Sequence, residues 1–411
     1  MKRIVILGST GSIGENALRI VESLPGEFQV VGLAAHRQSA RVLEQARVFH
    51  ADTIALSDPD AAESARAAAP AGVRVLSGIE GAVELASRPD VDLVVCAIVG
   101  MAALRPALAA IEAGHDLAIA TKEVLVACGA IVQHLCEKHH ANLLPIDSEH
   151  SALFQSLQDT QLRPWCVRNR ESKPCNSATL QLCNSTIESS IRRLLVTASG
   201  GPFFFHPEID FDKVTVETAL NHPRWKMGPK VTIDSATMMN KGLEIMEARW
   251  LFNVPVDRID VLVHPQSIVH SLVEFHDGAV MAQLGATDMR IAIQYAMCWP
   301  RRLENNTLPR LDLAAIAKLD FQEPDPARFP CLRIAREALA SGGTAPAAMN
   351  AANEVAVAAF LDRRLPFPGI WHTVESVLSR PDLPRACDTL DDILAADAWA
   401  RRTAEALVKS R

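Results

Sequence analysis

Two short runs of this sequence concentrate side chains able to do chemistry. In Leu143-Leu144-Pro145-Ile146-Asp147-Ser148-Glu149-His150 an apolar strand runs straight into carboxylates at i and i+2. In extended backbone such residues share a face. Two carboxylates held together repel unless a cation lies between them, so a hard divalent ion is their natural partner. The competing reading is a helix cap with solvated acids. The second run is Asp234-Ser235-Ala236-Thr237-Met238-Met239-Asn240-Lys241-Gly242-Leu243-Glu244. Ser235 or Thr237 can cap a helix over Thr237–Leu251. On it Asn240, Lys241 and Glu244 share a face by i,i+3 and i,i+4 spacing, beside a buried stripe of Leu243, Met246 and Trp250. A cation, an amide, hydroxyls and a carboxylate in one turn suit an anion such as phosphate beside a metal, against the plain alternative of a surface Lys–Glu pair.

A third run opens the chain. Gly8-Ser9-Thr10-Gly11-Ser12-Ile13-Gly14 follows the first strand directly. Glycines there allow a tight turn and let backbone amides approach a pyrophosphate at a helix N-terminus. The second strand ends in Ala35-His36-Arg37-Gln38, where an NAD-type site would place an acidic residue. Arg37 can pair with a 2′-phosphate, with no acidic neighbour in the sequence to repel it, so the spacing favours NADPH; a solvated Arg at a helix start competes. Thr197-Ala198-Ser199-Gly200-Gly201-Pro202 offers amides and hydroxyls after a strand, and the loop 221–228 (NHPRWKMG) carries Trp225 between Pro223 and Gly228. Such a loop can close over a ligand; a Trp anchored in the core is the equal alternative. His264 and His270 read as satisfied structural histidines, and no Cys has the setting of a nucleophile.

The elements that must position these residues alternate at first. Strand signals at Arg3–Leu7, Phe28–Ala34, Thr53–Leu56, Leu93–Ile98, Leu117–Ala120 and Ala141–Pro145 are interleaved with helical spacing at Glu15–Ser23, Ala40–Arg47 and Ala61–Ala69. That alternation implies a parallel sheet covered on both faces. From 148 the pattern becomes α+β, with strand signals at Val196–Thr197, Lys230–Ile233, Val261–Val263, Ser271–Phe275 and Ala279–Leu284. A Pro- and Asp-containing stretch follows, and the tail is helical, with Ala347–Leu361 rich in small residues that suit close packing. The expected organisation is α/β: a Rossmann-like parallel sheet at 1–147, an α+β catalytic domain at 148–304, a linker at 305–330 and an α-helical domain at 331–411.

The formal net charge of −7 argues against a nucleic-acid protein, which would show a basic face. Nine scattered Cys read as reduced thiols, and the longest apolar stretch is too short to span a bilayer, so the expected location is cytoplasmic.

Taken together, GSTGSIG, AIVG at Ala97–Gly100, Lys122–Glu123, LLPIDSEHSALFQSL, TASGGPF, HPRWKMG, VTIDSATMMNKGLEIMEARWLF, HPQSIVHS and NAANEVAVAAFL resemble the 1-deoxy-D-xylulose 5-phosphate reductoisomerase family, in order and over nearly the whole chain. The resemblance implies a V-shaped homodimer that uses NADPH and a divalent metal (Mg, Mn or Co). It would rearrange and reduce a small sugar phosphate, 1-deoxy-D-xylulose 5-phosphate, to 2-C-methyl-D-erythritol 4-phosphate in the non-mevalonate isoprenoid route. It further implies metal ligands Asp147, Glu149 and Glu244. Ser199, Ser235, Asn240 and Lys241 would hold phosphate with His222 close by, and Ser148 would touch substrate hydroxyls. Lys122 and Glu123 would lie near nicotinamide and substrate, with Trp225 and Met227 in a lid. Catalysis would fall to Lys122, Glu149, His222 and Trp225, and cofactor contacts to Thr10, Gly11, Ser12, Ile13, Arg37, Gln38, Glu123 and Gly228. Two departures stand out: His36, where the family usually has Gly, and the stretch Gln158–Arg193, which is longer than the family pattern and holds three of the nine Cys. The residues alone leave open another NADPH-linked dehydrogenase, of semialdehyde or homoserine type, or a cofactor-sensing protein without catalysis.

Overall fold

A computed structural model describes residues 1–157, 190–225 and 227–410. The unusual stretch up to 189, and Lys226 of the loop 221–228, lie outside the described residues. The described residues fall into two compact units that interleave along the chain: 1–124, 132–157 and 288–311 form one, and 125–131 with the rest of 190–287 and 312–410 the other.

The first unit is built on seven strands: β1 (Lys2–Leu7), β2 (Phe28–Ala35), β3 (Thr53–Leu56), β4 (Arg74–Ser77), β5 (Leu93–Cys96), β6 (Asp116–Ile119) and β7 (Leu143–Pro145). They are parallel throughout, in the order β4-β3-β2-β1-β5-β6-β7. Helices between successive strands cover the sheet, which is why β3 and β5 are buried at every residue and β5 is a continuous apolar run. β4 gave little sequence signal because it is a half-exposed edge strand. The order reverses between β1 and β5, so the ligand crevice of this architecture opens beyond their C-terminal ends. Gly8 sits there at φ +87°, and a Cβ on it would stand 2.5 Å from the Ala97 carbonyl oxygen that follows β5. Only glycine adopts that backbone so close to a neighbouring strand at little cost.

Residues 288–311 return to this unit. Lys2 Nζ donates to the carbonyls of Met297 (3.0 Å) and Trp299 (2.9 Å), which close the helix Met289–Cys298. Asn305 is buried and donates to Ser23 Oγ at 2.9 Å, so the first residues of the stretch read as a linker are fastened down.

The second unit holds β8 (Ile191–Ala198), β9 (Ile259–Val263), β10 (Val269–Phe275) and β11 (Val280–Leu284), in the order β11-β10-β8-β9. β8 and β9 are parallel, and the other two pairings antiparallel. Lys230–Ile233, expected as a strand, is instead inside the helix Pro229–Ala236. Pro229 at the first helical position, after extended Gly228, starts the helix. Thr232 returns its hydroxyl to the Gly228 carbonyl at 3.0 Å, so the β-branched run is overridden by context. The helices Pro330–Ser341, Ala345–Leu361, Gly369–Leu378 and Leu390–Lys409 complete this unit. Most alanines of Ala345–Leu361 are buried against a core that includes Phe203, Phe367 and Trp371.

Candidate active site

In the first unit the glycine-rich loop leads into the helix Ser12–Ser23, whose N-cap is Gly11 with no side-chain cap. The first-turn amides at Ser12 and Ile13, with Thr10 and Gly11 just before them, thus stand without a side-chain cap at the positive end of the helix dipole, as a pyrophosphate site requires. The loop is held from behind by a residue the sequence did not suggest. Ser9 Oγ donates to Gln45 Oε1 at 2.7 Å, and Gln45 Nε2 donates back to the Ser9 carbonyl and to Glu15, each at 3.0 Å.

Arg37 and Gln38 follow β2, with Gln38 as N-cap of the helix Ser39–Phe49. Here one expectation is corrected. Arg37 does have an acidic neighbour: its Nε donates to Asp58 Oδ2 at 2.7 Å. Asp58 is twenty-one positions away in sequence, and the β2–β3 pairing (Ala35 beside Leu56) brings it next to Arg37.

The expected geometry of the acidic pair is also corrected. Asp147 is extended (φ −54°, ψ 132°), but Ser148–Ser156 is helical, so Glu149 lies in a first helical turn and not on a continuing strand. Strand alternation therefore does not set the two carboxylates on one face. Asp147 stands at the N-cap position without using its side chain as a cap, because Lys122 Nζ pairs with its Oδ2 at 2.6 Å. Glu149 accepts from Ser148 Oγ at 2.5 Å. Lys122 and Glu123 open the helix Lys122–His139 just past β6, and Asp147 lies just past β7, so neighbouring parallel strands deliver both to one sheet edge. Glu123 is buried there.

In the second unit the cluster read from helical spacing is present. The helix Met239–Phe252 begins after Met238, which adopts a left-handed conformation (φ 61°) and separates it from Pro229–Ala236. Thr237 does not start the helix, but its Oγ1 accepts the Met239 amide at 3.3 Å. Asn240 donates to Glu244, and Lys241 Nζ donates to Glu244 and to the Thr197 carbonyl at the end of β8. Lys241 is 4 % and Glu244 1 % exposed, so this is a buried charge pair and not the surface pair of the plain alternative.

Ser199 and His222 meet above it, with Ser199 Oγ 2.9 Å from His222 Nε2. His222 Nδ1 accepts the amides of Trp225 (2.9 Å) and Arg224 (3.2 Å), so the proton of the neutral ring resides on Nε2 and is donated to Ser199. Burial pushes the His222 pKa down to about 4. Gly201 (φ +61°) lets the loop approach so closely that a Cβ would stand 2.6 Å from the Ser235 carbonyl oxygen, which ties Ser235 to the same cradle. Trp225 and Met227 are half-buried, and Gly228 is exposed as N-cap of Pro229–Ala236.

The lowered His222 pKa gives a signed expectation. The imidazole takes up a proton in the unfolded chain near its ordinary value of 6.5, but in the fold only near pH 4. Its contribution to stability is therefore complete above about 6.5 and is lost as pH falls toward 4. The melting temperature should fall more steeply across that window than in His222→Asn, and parallel curves would rule the assignment out.

His264 is satisfied at both nitrogens: Nδ1 lies 2.8 Å from the Asp320 carbonyl and Nε2 accepts the Ile268 amide at 3.1 Å. Cys96 and Cys298 are buried, with thiols pushed up to about 11, and Cys128 to about 12. A semialdehyde dehydrogenase needs an activated thiolate, and these thiols are the opposite.

A dinucleotide-type crevice in one unit and a buried Lys–Glu pair beside a neutral Ser–His donor pair in the other define an oxidoreductase class that takes an anionic substrate. Profiles described as 1-deoxy-D-xylulose 5-phosphate reductoisomerase match residues 4–129, its C-terminal domain 143–252, and the DXP reductoisomerase C-terminal domain 284–403. A 1-deoxy-D-xylulose 5-phosphate reductoisomerase of Symbiobacterium thermophilum is 49 % identical over 98 % of both chains, and one of Anaeromyxobacter sp. 48 % over 100 % of this chain and 98 % of its own. Among solved structures, the Zymomonas mobilis enzyme in complex with NADPH aligns over 100 % of both chains with TM-score 0.87 and 38 % identity. A DOX-P reductoisomerase in complex with NADPH, fosmidomycin and magnesium gives the same TM-score and identity over 100 % of this chain and 98 % of its own. The chain belongs to the 1-deoxy-D-xylulose 5-phosphate reductoisomerase family.

Proposed function

We infer that this protein catalyses the NADPH- and divalent-metal-dependent rearrangement and reduction of 1-deoxy-D-xylulose 5-phosphate to 2-C-methyl-D-erythritol 4-phosphate, a step of isoprenoid biosynthesis. The observation that carries the reading is the end-to-end family match. It is supported by the second unit, where Ser199 and His222 are hydrogen-bonded and Lys241 pairs with the buried Glu244.

The residues fit a divalent cation and a dinucleotide. Asp147, Glu149 and Glu244 are hard oxygen donors, and Asp147 and Glu244 each already accept a positive charge, from Lys122 and Lys241 respectively. The uncapped helix at Gly11 and the close glycine packing fit a dinucleotide. When bound, the cation supplies Lewis acidity and NADPH the hydride.

The chain's own residues do the rest. Lys241, Asn240, Ser199 and Ser235 bind phosphate remote from the reacting carbons. His222 joins them as a neutral Nε2–H donor held in line by the amides of its own loop. Lys122 beside Asp147 is a proton carrier at the substrate oxygens, with Ser148 and Glu149 next to it. The indole of Trp225 covers the substrate and excludes water. The deciding assay is NADPH oxidation with 1-deoxy-D-xylulose 5-phosphate, with and without Mg or Mn. Turnover should vanish after exhaustive chelation and return with metal, and fosmidomycin should inhibit it. Undiminished activity after chelation ends the metal reading.

Trp225→Ala should lower kcat/KM strongly with little change in melting temperature, because its ring is only half-buried. A core Trp truncation costs about 3–5 kcal/mol of stability. A large melting loss with unchanged kinetics would make Trp225 structural.

The assembly we propose is a homodimer. β11 is an edge strand whose Val280 and Met281 are 50 % and 53 % exposed, and an exposed apolar edge invites pairing with another copy. We place the protein in the cytoplasm: the six described cysteines are all free, and among the described residues no helix is long and apolar enough to cross a membrane.

A further inference from the structure

We propose that Asp58 tunes cofactor preference by occupying the guanidinium that must receive the 2′-phosphate of NADPH; the inference rests on the cofactor reading above. Arg37 is the more exposed partner, with a side chain 72 % exposed, while that of Asp58 is 17 % exposed. The sheet holds Asp58 in place. The amides of Ser57 and Asp58 donate to the carbonyls of Ala35 (3.1 Å) and His36 (3.2 Å), prolonging the β2–β3 pairing past the strand ends. Asp58 Oδ1 accepts the Ala61 amide at 3.0 Å as N-cap of the helix Pro59–Ala68. The Ala61 amide, and then Arg37, keep this carboxyl below its usual range, so it is charged at neutral pH.

A phosphate arriving at Arg37 therefore meets a fixed anion. It must draw the guanidinium away from Asp58, or share its five donors while lying beside a like charge. The ribose hydroxyls of NADH face no such competition, because they do not require Arg37. Asp58 thus holds the preference for NADPH below what Arg37 alone would give. Exposed pairs of this kind are weak, so the effect is roughly two- to five-fold in affinity.

The test is kcat and KM for NADPH and for NADH in the unaltered enzyme, Asp58→Asn, Arg37→Ala and the double variant. Asn caps helices as well as Asp does, so Asp58→Asn removes the charge and keeps the cap. The expected result is a KM for NADPH about two- to five-fold lower with that for NADH unmoved, and a smaller gain when Arg37 is absent. An unchanged NADPH-to-NADH ratio would make Asp58 a helix cap alone. A raised KM for NADPH would mean that Asp58 aims Arg37 at the phosphate. Either result overturns the proposal. An unaltered enzyme that uses NADH and NADPH equally well would instead remove the cofactor reading itself, so the two failures are distinguishable. If Asp58→Asn melts below the assay temperature, Asp58→Ser, another capping residue, carries the same comparison.

Discussion

Glu244→Gln is expected to cut turnover by on the order of 1000-fold while leaving NADPH affinity unchanged, since metal-assisted charge stabilisation is worth several kcal/mol and each 1.4 kcal/mol is tenfold in rate. The substitution is nearly isosteric but removes one of three proposed anionic ligands. Two contacts of Lys241 limit the damage to the fold. Its ammonium keeps the Thr197 carbonyl, and the new amide oxygen can still accept from it. The buried Lys241 ammonium nevertheless loses its counter-charge, and Asn240 must turn its amide to face the new NH2 group, together a loss of roughly 3–5 kcal/mol. The measurements are kcat, NADPH affinity by fluorescence quenching, and melting temperature on one preparation. Turnover close to that of the unaltered enzyme at saturating magnesium would exclude Glu244 as a ligand. Lost NADPH binding together with a collapsed melting temperature would show that Glu244 is needed for folding before chemistry.

Gly14→Ala should abolish dinucleotide binding and destabilise the first unit by about 3 kcal/mol or more, at or above the upper end of ordinary overpacking. A Cβ on Gly14 would stand 2.5 Å from Ser9 Cα and closer still to the Gly8 carbonyl oxygen. Both obstacles are backbone, and Ser9 is clamped by Gln45, so neither yields by rotating a side chain. Either the helix Ser12–Ser23 moves away from the sheet or the glycine-rich loop opens, and each displaces the amides meant for the pyrophosphate. By contrast, Gly11→Ala puts a Cβ at 3.4 Å from its nearest neighbour, the Gly8 carbonyl oxygen, and should cost far less. Equal NADPH affinities for the two variants would show that close packing at Gly14 does not shape the cofactor site.

Local spacing makes much of this protein legible. The glycine-rich loop, the Asn240–Glu244 and Lys241–Glu244 contacts and the parallel β-strands can be read from the chain because each depends on residues a few positions apart, or on short apolar runs that can only be buried strands. The structural roles of His264 and of the buried cysteines follow from residue type in the same way. What the sequence leaves open is every pairing made by sheet order. Lys122 meets Asp147 because β6 lies beside β7, and Arg37 meets Asp58 because β2 lies beside β3. In each pair the partners are more than twenty residues apart, and only hydrogen bonding between strands sets their register. The signal for Asp58 is present as a cap before Pro59, but a cap motif says nothing about which cation its second oxygen will find. The run at Lys230–Ile233 shows the same limit for secondary structure, since strand propensity is a preference of about 1 kcal/mol that a Pro-started helix packed in a core overrides. Sequence by itself thus determined the chemistry available and the elements that carry it. Tertiary structure alone decided which charge faces which, because electrostatic partners are chosen by distance in space and not along the chain.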